Sequence, residues 1–414
     1  MQQAPADLRI DARLIVPMTA RAALLERHSV LIRGGRILEV LPTANAAERY
    51  VAEVLVERPA HVLLPGLINA NAEASAALYL QPRAAVDGSA GSEQWLPDGA
   101  RFAAARLLRA GTTCIAARSS FPDVLARAAQ EQGLRAHIRL PVADAASPWA
   151  RDFGEYLSRA LALRDEYRGH PLISTSFAPL QLPDESFARL AIIADELEAT
   201  LTMEVHRSAP EIEHSVQVHG ERPLERLARL GVLTPAFVAL HMNLLSEADV
   251  QLARDGGIAA ILSPHQSLAG TGALPPFRAL RNAGISCGLG SGASILGQDV
   301  WGEMRIAALC LGDTRHALAT VTCEAATILG LNAETGSLAA GRWADLCCVD
   351  ISGLPALPPD ALVDALILGA PRELVSDVWV AGRQLLADGA LTRLDWPECS
   401  AATHTWRIKH AGSG

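Results

Sequence analysis

Leu64-Pro-Gly-Leu-Ile-Asn-Ala-Asn-Ala-Glu73 is the stretch on which the fold turns. Leu64–Ala70 reads as a buried strand, and polar Asn71 and Glu73 follow it at the strand end. Seven further apolar, strand-like runs come after it: Thr112–Ala116, Ala136–Leu140, Leu172–Ser176, Thr200–Val205, Phe237–His241, Ile258–Leu262 and Ser286–Gly290. Helical patterns at Phe121–Gln132, Pro183–Glu198 and Ser246–Asp255 lie between several of them. Eight strand–helix repeats predict a parallel (β/α)8 TIM barrel, an α/β fold whose chemistry sits at the C-terminal strand ends.

Outside the repeats the pattern changes. Leu8–Val16, Ser29–Arg33 and Arg36–Val40 are short alternating segments, and Gly34-Gly35 between the last two is a hairpin signal. Ala344–Asp350 and Val375–Ala381 are strand-like again near the other end. The two ends are expected to pair into one small β-sandwich, so that residues 1–63 and 335–414 form a composite domain around a barrel of residues 64–334.

Composition narrows the partners. Half of the 414 residues are apolar and 20% are charged, so a large core is easily built. The net charge of −9 and the lack of a Lys/Arg-rich run argue against nucleic acid or an anionic membrane surface. Aromatics at 4% leave little for base stacking. No uncharged apolar run approaches the roughly 18 residues of a spanning helix. Seven scattered cysteines without a CxxC pair, and a start that does not read as a signal peptide, predict a reduced, cytoplasmic protein.

The motifs Leu64-Pro-Gly-Leu-Ile-Asn, Ala110-Gly-Thr-Thr-Cys, Gly220-Glu-Arg-Pro-Leu, Gly302-Glu-Met-Arg, Gly336-Ser-Leu-Ala-Ala-Gly-Arg-Trp-Ala-Asp and Val378-Trp-Val-Ala-Gly resemble the amidohydrolase superfamily. The likeness covers nearly the whole chain. It is nearest to the 5-methylthioadenosine/S-adenosylhomocysteine deaminases of the chlorohydrolase-like branch. Most of these motifs belong to the scaffold, so they bear on fold more than on activity.

The resemblance implies a metal held by a His-x-His pair after the first barrel strand, a His on the fifth and an Asp on the eighth. It also implies a Glu shortly after the fifth-strand His and a His on the sixth strand. Here Asn71 and Glu73 stand at the pair, Glu204 at the fifth-strand ligand, Arg207 at the catalytic Glu and Gly292 at the Asp. Leu180 replaces the His of an Ala-Pro-His motif, and only the sixth-strand His241 remains. A carboxamide is a poor metal ligand where imidazole is a good one. The loops at 74–108 and 181–185 are shorter than the family pattern.

These changes predict a site rebuilt without metal or other cofactor around an internal ion pair. Arg207 is the expected cation and Glu73 and Glu204 its partners. Glu73, Glu204, Arg207 and His241 are the expected catalytic residues, joined in one hydrogen-bonded cluster, and Asn71, His206, His265 and Ser291 the expected substrate contacts. The leading expectation is a small-molecule site capable of acid–base catalysis, on an N-heterocyclic or nucleoside-like compound if the family likeness extends that far. The alternatives are a non-catalytic pseudoenzyme serving an active paralogue, and a deaminase-like C–N hydrolase with an atypical metal site. The family also implies a homodimer.

Overall fold

The computed structural model describes residues 3–19, 24–73, 96–292, 299–369 and 372–402. In chain order the strands are β1 (Ala4–Ile15), β2 (Leu25–Arg33), β3 (Arg36–Pro42), β4 (Tyr50–Pro65), then β5 (Leu67–Ala72), β6 (Thr112–Arg118), β7 (Arg135–Ala143), β8 (Ile173–Leu180), β9 (Leu201–Val205), β10 (Phe237–His241), β11 (Ala259–Leu262) and β12 (Cys287–Leu289), and last β13 (Leu346–Asp350), β14 (Val375–Val380), β15 (Arg383–Ala387) and β16 (Ala390–Leu391).

β5 to β12 form an eight-stranded parallel sheet in sequential order, as the eight apolar runs predict. The ring closes just beyond the last strand. Ala72 bridges Gly292, whose N–H donates to the Asn71 carbonyl at 2.7 Å. Gly290 permits this approach, because a Cβ there would lie 2.2 Å from the Asn71 nitrogen. Inside the barrel Ile68, Ala70, Cys114, Ala116, Val238, Leu240 and Ile261 pack together, with the Cys323–Ile328 helix contributing Ala325, Ala326 and Ile328.

The remaining strands make a second eight-stranded sheet from both termini, ordered β16-β15-β14-β13-β4-β1-β2-β3. Gly34 and Gly35, at φ 58° and 76°, supply the two-residue turn between β2 and β3. β4 is the seam, parallel to β1 on one side and antiparallel to β13 on the other. Its side chains alternate: Val62 and Leu64 join the core shared with the barrel helices, while Leu63 packs with Ile10, Val30, Ile32, Leu346 and Trp379. Leu64 and Pro65 therefore pair with Cys347 and Leu346 in the terminal sheet, and the first barrel strand starts at Leu67 instead of Leu64. Apolar content alone does not mark this change of sheet, because the run is buried on both sides of Gly66.

Among the described residues no helix is long and apolar enough to cross a membrane.

Candidate functional site at the barrel mouth

A cavity of about 710 Å³ opens where β5 to β10 end. Asn71 and Glu73 enter it from β5, Arg118 from β6, Arg139 from β7, Leu180 from β8, and Met203 and Glu204 from β9. Arg207 and Glu211 line it from the segment after β9.

β7 explains the deepest of these groups. Ala136, Ile138 and Leu140 alternate outward into the helix-facing core, so Arg135, His137 and Arg139 take the opposite face. Arg139 is 2% exposed. Its Nη1 donates to Asn71 Oδ1 at 2.8 Å and its Nη2 to the Ala70 carbonyl, while its Nε has no hydrogen-bond partner. Burial, and then the neighbouring Arg118, press its pKa down to about 9, which leaves it charged at neutral pH. The other side of the Asn71 carboxamide is also engaged, with Nδ2 donating to Ser263 Oγ at 3.2 Å.

Glu204 lies between two guanidiniums. Arg207 Nη1 donates to one carboxylate oxygen at 2.9 Å, and Arg118 Nη2 stands 3.6 Å from the other. Burial would raise this carboxyl, but Arg118, His241, Arg207 and Arg139 outweigh it and hold the group below its ordinary range. Glu211 accepts from the backbone N–H groups of His206 and Arg207, at 3.1 and 2.7 Å, and so fixes the turn that presents Arg207. Burial raises the Glu211 carboxyl despite those bonds.

His241 is buried at the end of β10, and its Nδ1 has no hydrogen-bond partner. Burial pushes its pKa down to about 4 against the pull of Glu204, so the imidazole is neutral at pH 7. Gln181, His206, His241 and Met242 all have positive φ, between 45° and 80°, and all lie at barrel strand ends. Strained backbone of this kind gathers at functional sites.

The expected four-residue cluster is thus only partly formed. Glu204 and Arg207 pair, but no hydrogen bond joins His241 to Glu204 among the described residues, and Arg118 supplies a second cation to that carboxylate. Glu73 lines the same cavity. The buried cation is Arg139 and not Arg207, whose side chain is half exposed.

Of the expected substrate contacts, Asn71 reaches the cavity. His206 does not: its ring is enclosed behind the strand, with Nδ1 on the Leu244 carbonyl at 3.1 Å and the Leu224 N–H on Nε2 at 3.3 Å. β9 ends at Val205, and the left-handed turn at His206 carries the ring away from the barrel axis. Ser291 is fully buried and exchanges two hydrogen bonds with Asn69, closing the β12–β5 gap. His265 pairs with buried Glu303 at 3.0 Å, which raises its pKa. The shortened loop expected over 74–108 lies outside the described residues from 74 to 95, as do residues 293–298 beyond Gly292.

Arg118, Arg139 and Glu211 are the site residues that the sequence reading missed. Alternation along β7 separates Arg139 from the apolar Ala136, Ile138 and Leu140, and closure of the ring makes its face the interior one.

Among the described residues, no group of three or more His, Cys, Asp or Glu side chains is placed to hold a metal ion.

Residues 62–385 match the family model described as "Amidohydrolase family". The chain is 34% identical to the 5-methylthioadenosine/S-adenosylhomocysteine deaminase of Teredinibacter turnerae, over 97% of each chain. It is 32% identical to the enzyme of the same name from Saccharophagus degradans, over 98% of this chain and 97% of that one. Among solved structures, a zinc-bound adenosine deaminase from Xanthomonas campestris superimposes with a TM-score of 0.93 at 33% identity, covering 99% of both chains. An atrazine chlorohydrolase from Arthrobacter aurescens, 21% identical, shares the fold with a TM-score of 0.86 over 96% of this chain and 99% of that one. The chain belongs to the amidohydrolase family, close to the 5-methylthioadenosine/S-adenosylhomocysteine deaminases.

Proposed function

We propose that this chain is a divergent amidohydrolase whose barrel mouth is a metal-independent small-molecule site. One observation carries the reading: the Arg139 guanidinium occupies the Asn71 carboxamide oxygen at the barrel axis. A divalent ion needs lone pairs pointed at it and negative charge beside it. Here the Asn71 oxygen faces a cation, the Glu204 oxygens face Arg207 and Arg118, and Gly292 offers no side-chain ligand. Two unit charges of the same sign ~5 Å apart repel by roughly 3 kcal/mol per charge product at an effective dielectric near 20, and a divalent ion doubles that. The donor set therefore does not fit the zinc of the Xanthomonas relative.

In this reading Glu204, ionised and open to the cavity, is the group able to take a proton from a bound compound. His241, neutral at pH 7, stands at the end of β10 within electrostatic reach of Glu204. The deaminase relatives favour an N-heterocyclic or nucleoside-like compound. They equally favour a second reading, a C–N hydrolase with an atypical metal site built on Glu73 and Glu204. Metal analysis separates the two. Protein produced with added zinc and purified without chelator is expected to carry substoichiometric zinc. Stoichiometric zinc, lost in Glu73→Ala or Glu204→Ala, overturns the first reading and establishes the second.

We also propose, on likeness to the family alone, a homodimer formed through the barrel helices, for which a monomeric mass by light scattering is the contrary result. The seven free cysteines support a location in the reducing cytoplasm.

A further inference from the structure

We propose that the barrel-mouth cavity binds a small organic acid, whose carboxylate is taken by Arg139 and Arg118. The inference rests on the metal-independent reading above and names the ligand class of that site.

Charge balance is the first argument. Arg139 is a buried cation whose hydrogen bonds run to two neutral oxygens, the Asn71 carboxamide and the Ala70 carbonyl. Among the described residues no carboxylate lies within ion-pair distance of it, and its Nε has no partner. A buried charge without a counter-charge is costly, and it persists in folded proteins chiefly where a ligand or a function compensates it.

Availability of the neighbours is the second. Glu204, the acid nearest in charge to Arg139, is already committed to Arg207 at 2.9 Å. Arg118 stands 3.6 Å from the same carboxylate, beyond hydrogen-bonding distance, and is 42% exposed toward solvent. Arg118, Arg139 and Arg207 thus crowd the Glu204 side of the cavity, while Glu73 lines it beside Asn71. Glu211 is turned to the backbone N–H groups of His206 and Arg207, and Asp144 is exposed. An arriving carboxylate finds planar, charged donors that match its own geometry.

The rest of the wall fixes the body of the ligand. Tyr156, Leu180, Met203 and Leu240 give the cavity an apolar side, and about 710 Å³ suits a compound of one or two rings.

The test uses acids and their neutral isosteres on the full chain. Benzoate and nicotinate are titrated by calorimetry and thermal shift against benzamide and nicotinamide, with inorganic phosphate as a third arm. The acids are expected to bind and raise Tm while the amides do not. Arg118→Gln is expected to weaken acid binding at least tenfold with the fold intact, and Arg139→Met to abolish it. If Arg139→Met fails to fold, Arg118→Gln alone carries the test. Amides binding as well as acids, or acid binding unchanged in Arg118→Gln, overturns the inference and leaves the small-molecule site standing. Phosphate binding as well as the acids overturns the carboxylate assignment. No response to either acid overturns it also. Failure of the underlying reading registers separately, as stoichiometric zinc in the same preparation.

Discussion

His241 shows how burial converts one side chain into a pH sensor of stability. The folded protein holds it at about 4, below its ordinary 6.5, because the protonated ring would sit in a buried site beside three guanidiniums. Unfolding releases the ring to water, where it takes a proton below pH 6.5. The neutral ring's contribution is therefore complete above pH 6.5 and is lost as pH falls from 6.5 toward 4. His137, pressed to about 3 by burial and Arg139, titrates in the same direction. Substituting His241→Asn removes one of the two, and Asn tolerates the positive φ of 80° at this position. The loss of unfolding free energy between pH 7 and pH 4.5 should shrink by on the order of 2–3 kcal/mol. Denaturant melts at both pH values check this, and an unchanged difference would show that the imidazole is solvated.

At the scale of elements, the turn after β9 is held from behind by a buried carboxylate. Asp249 opens the Glu247–Asp255 helix, accepts from the Ser246 N–H and hydroxyl, and takes Arg222 Nη2 at 2.7 Å. Burial would raise its pKa, yet the bonds from Arg222 and Ser246 keep it below the ordinary range. Arg222 Nη2 also reaches the Leu244 carbonyl at 3.2 Å, the acceptor used by His206. This network ties the ends of β9 and β10 to two helices and so sets where Arg207 stands. Removing one partner of a buried pair strands the other, so Asp249→Ala should cost about 3 kcal/mol in a urea melt. It should also weaken whatever binds at Arg207. A variant as stable as the parent would mean that the Arg222 end simply turns to solvent.

The elements themselves were legible in the sequence. Eight apolar runs named eight strands because barrel strands are buried on both faces and carry few polar interruptions. What stayed hidden was direction. The run Ala136–Leu140 was recognised as a strand, but only closure of the ring makes one of its faces an interior, and that puts Arg139 on the axis. For the same reason His206, one residue past the end of β9, looked like a site residue and lies behind the wall instead. Glu204 and Arg207, spaced three apart across a strand end, were legible as a pair. Arg118 as the other cation on Glu204 required the neighbouring strands in three dimensions.

For the whole molecule, one acid joins the two sheets. The barrel is inserted between β4 and β13, so the terminal sheet is complete only when both ends of the chain have come together. Arg135, at the start of β7, donates to Asp345 through Nε at 2.6 Å and Nη2 at 3.1 Å, and both side chains are buried. Asp345 Oδ1 also accepts the Ala381 N–H at 2.8 Å, and its backbone carbonyl accepts the Gly66 N–H at the passage from β4 to β5. Asp345→Asn keeps the shape and removes the charge. Arg135 is left as a buried cation without its counter-charge, at a cost of about 3 kcal/mol. Arg135 lies four residues before Arg139 along β7, roughly 13 Å at 3.3 Å per residue. The two ends of this strand should therefore separate stability from recognition. Asp345→Asn is expected to unfold at a lower temperature, with the terminal sheet melting before the barrel, and to bind at the mouth with unchanged affinity while folded. Circular dichroism followed alongside Trp379 fluorescence in a variant lacking the other tryptophans would register the two transitions. A single transition, or a loss of affinity in the folded variant, would show that the sheets and the site form one cooperative unit.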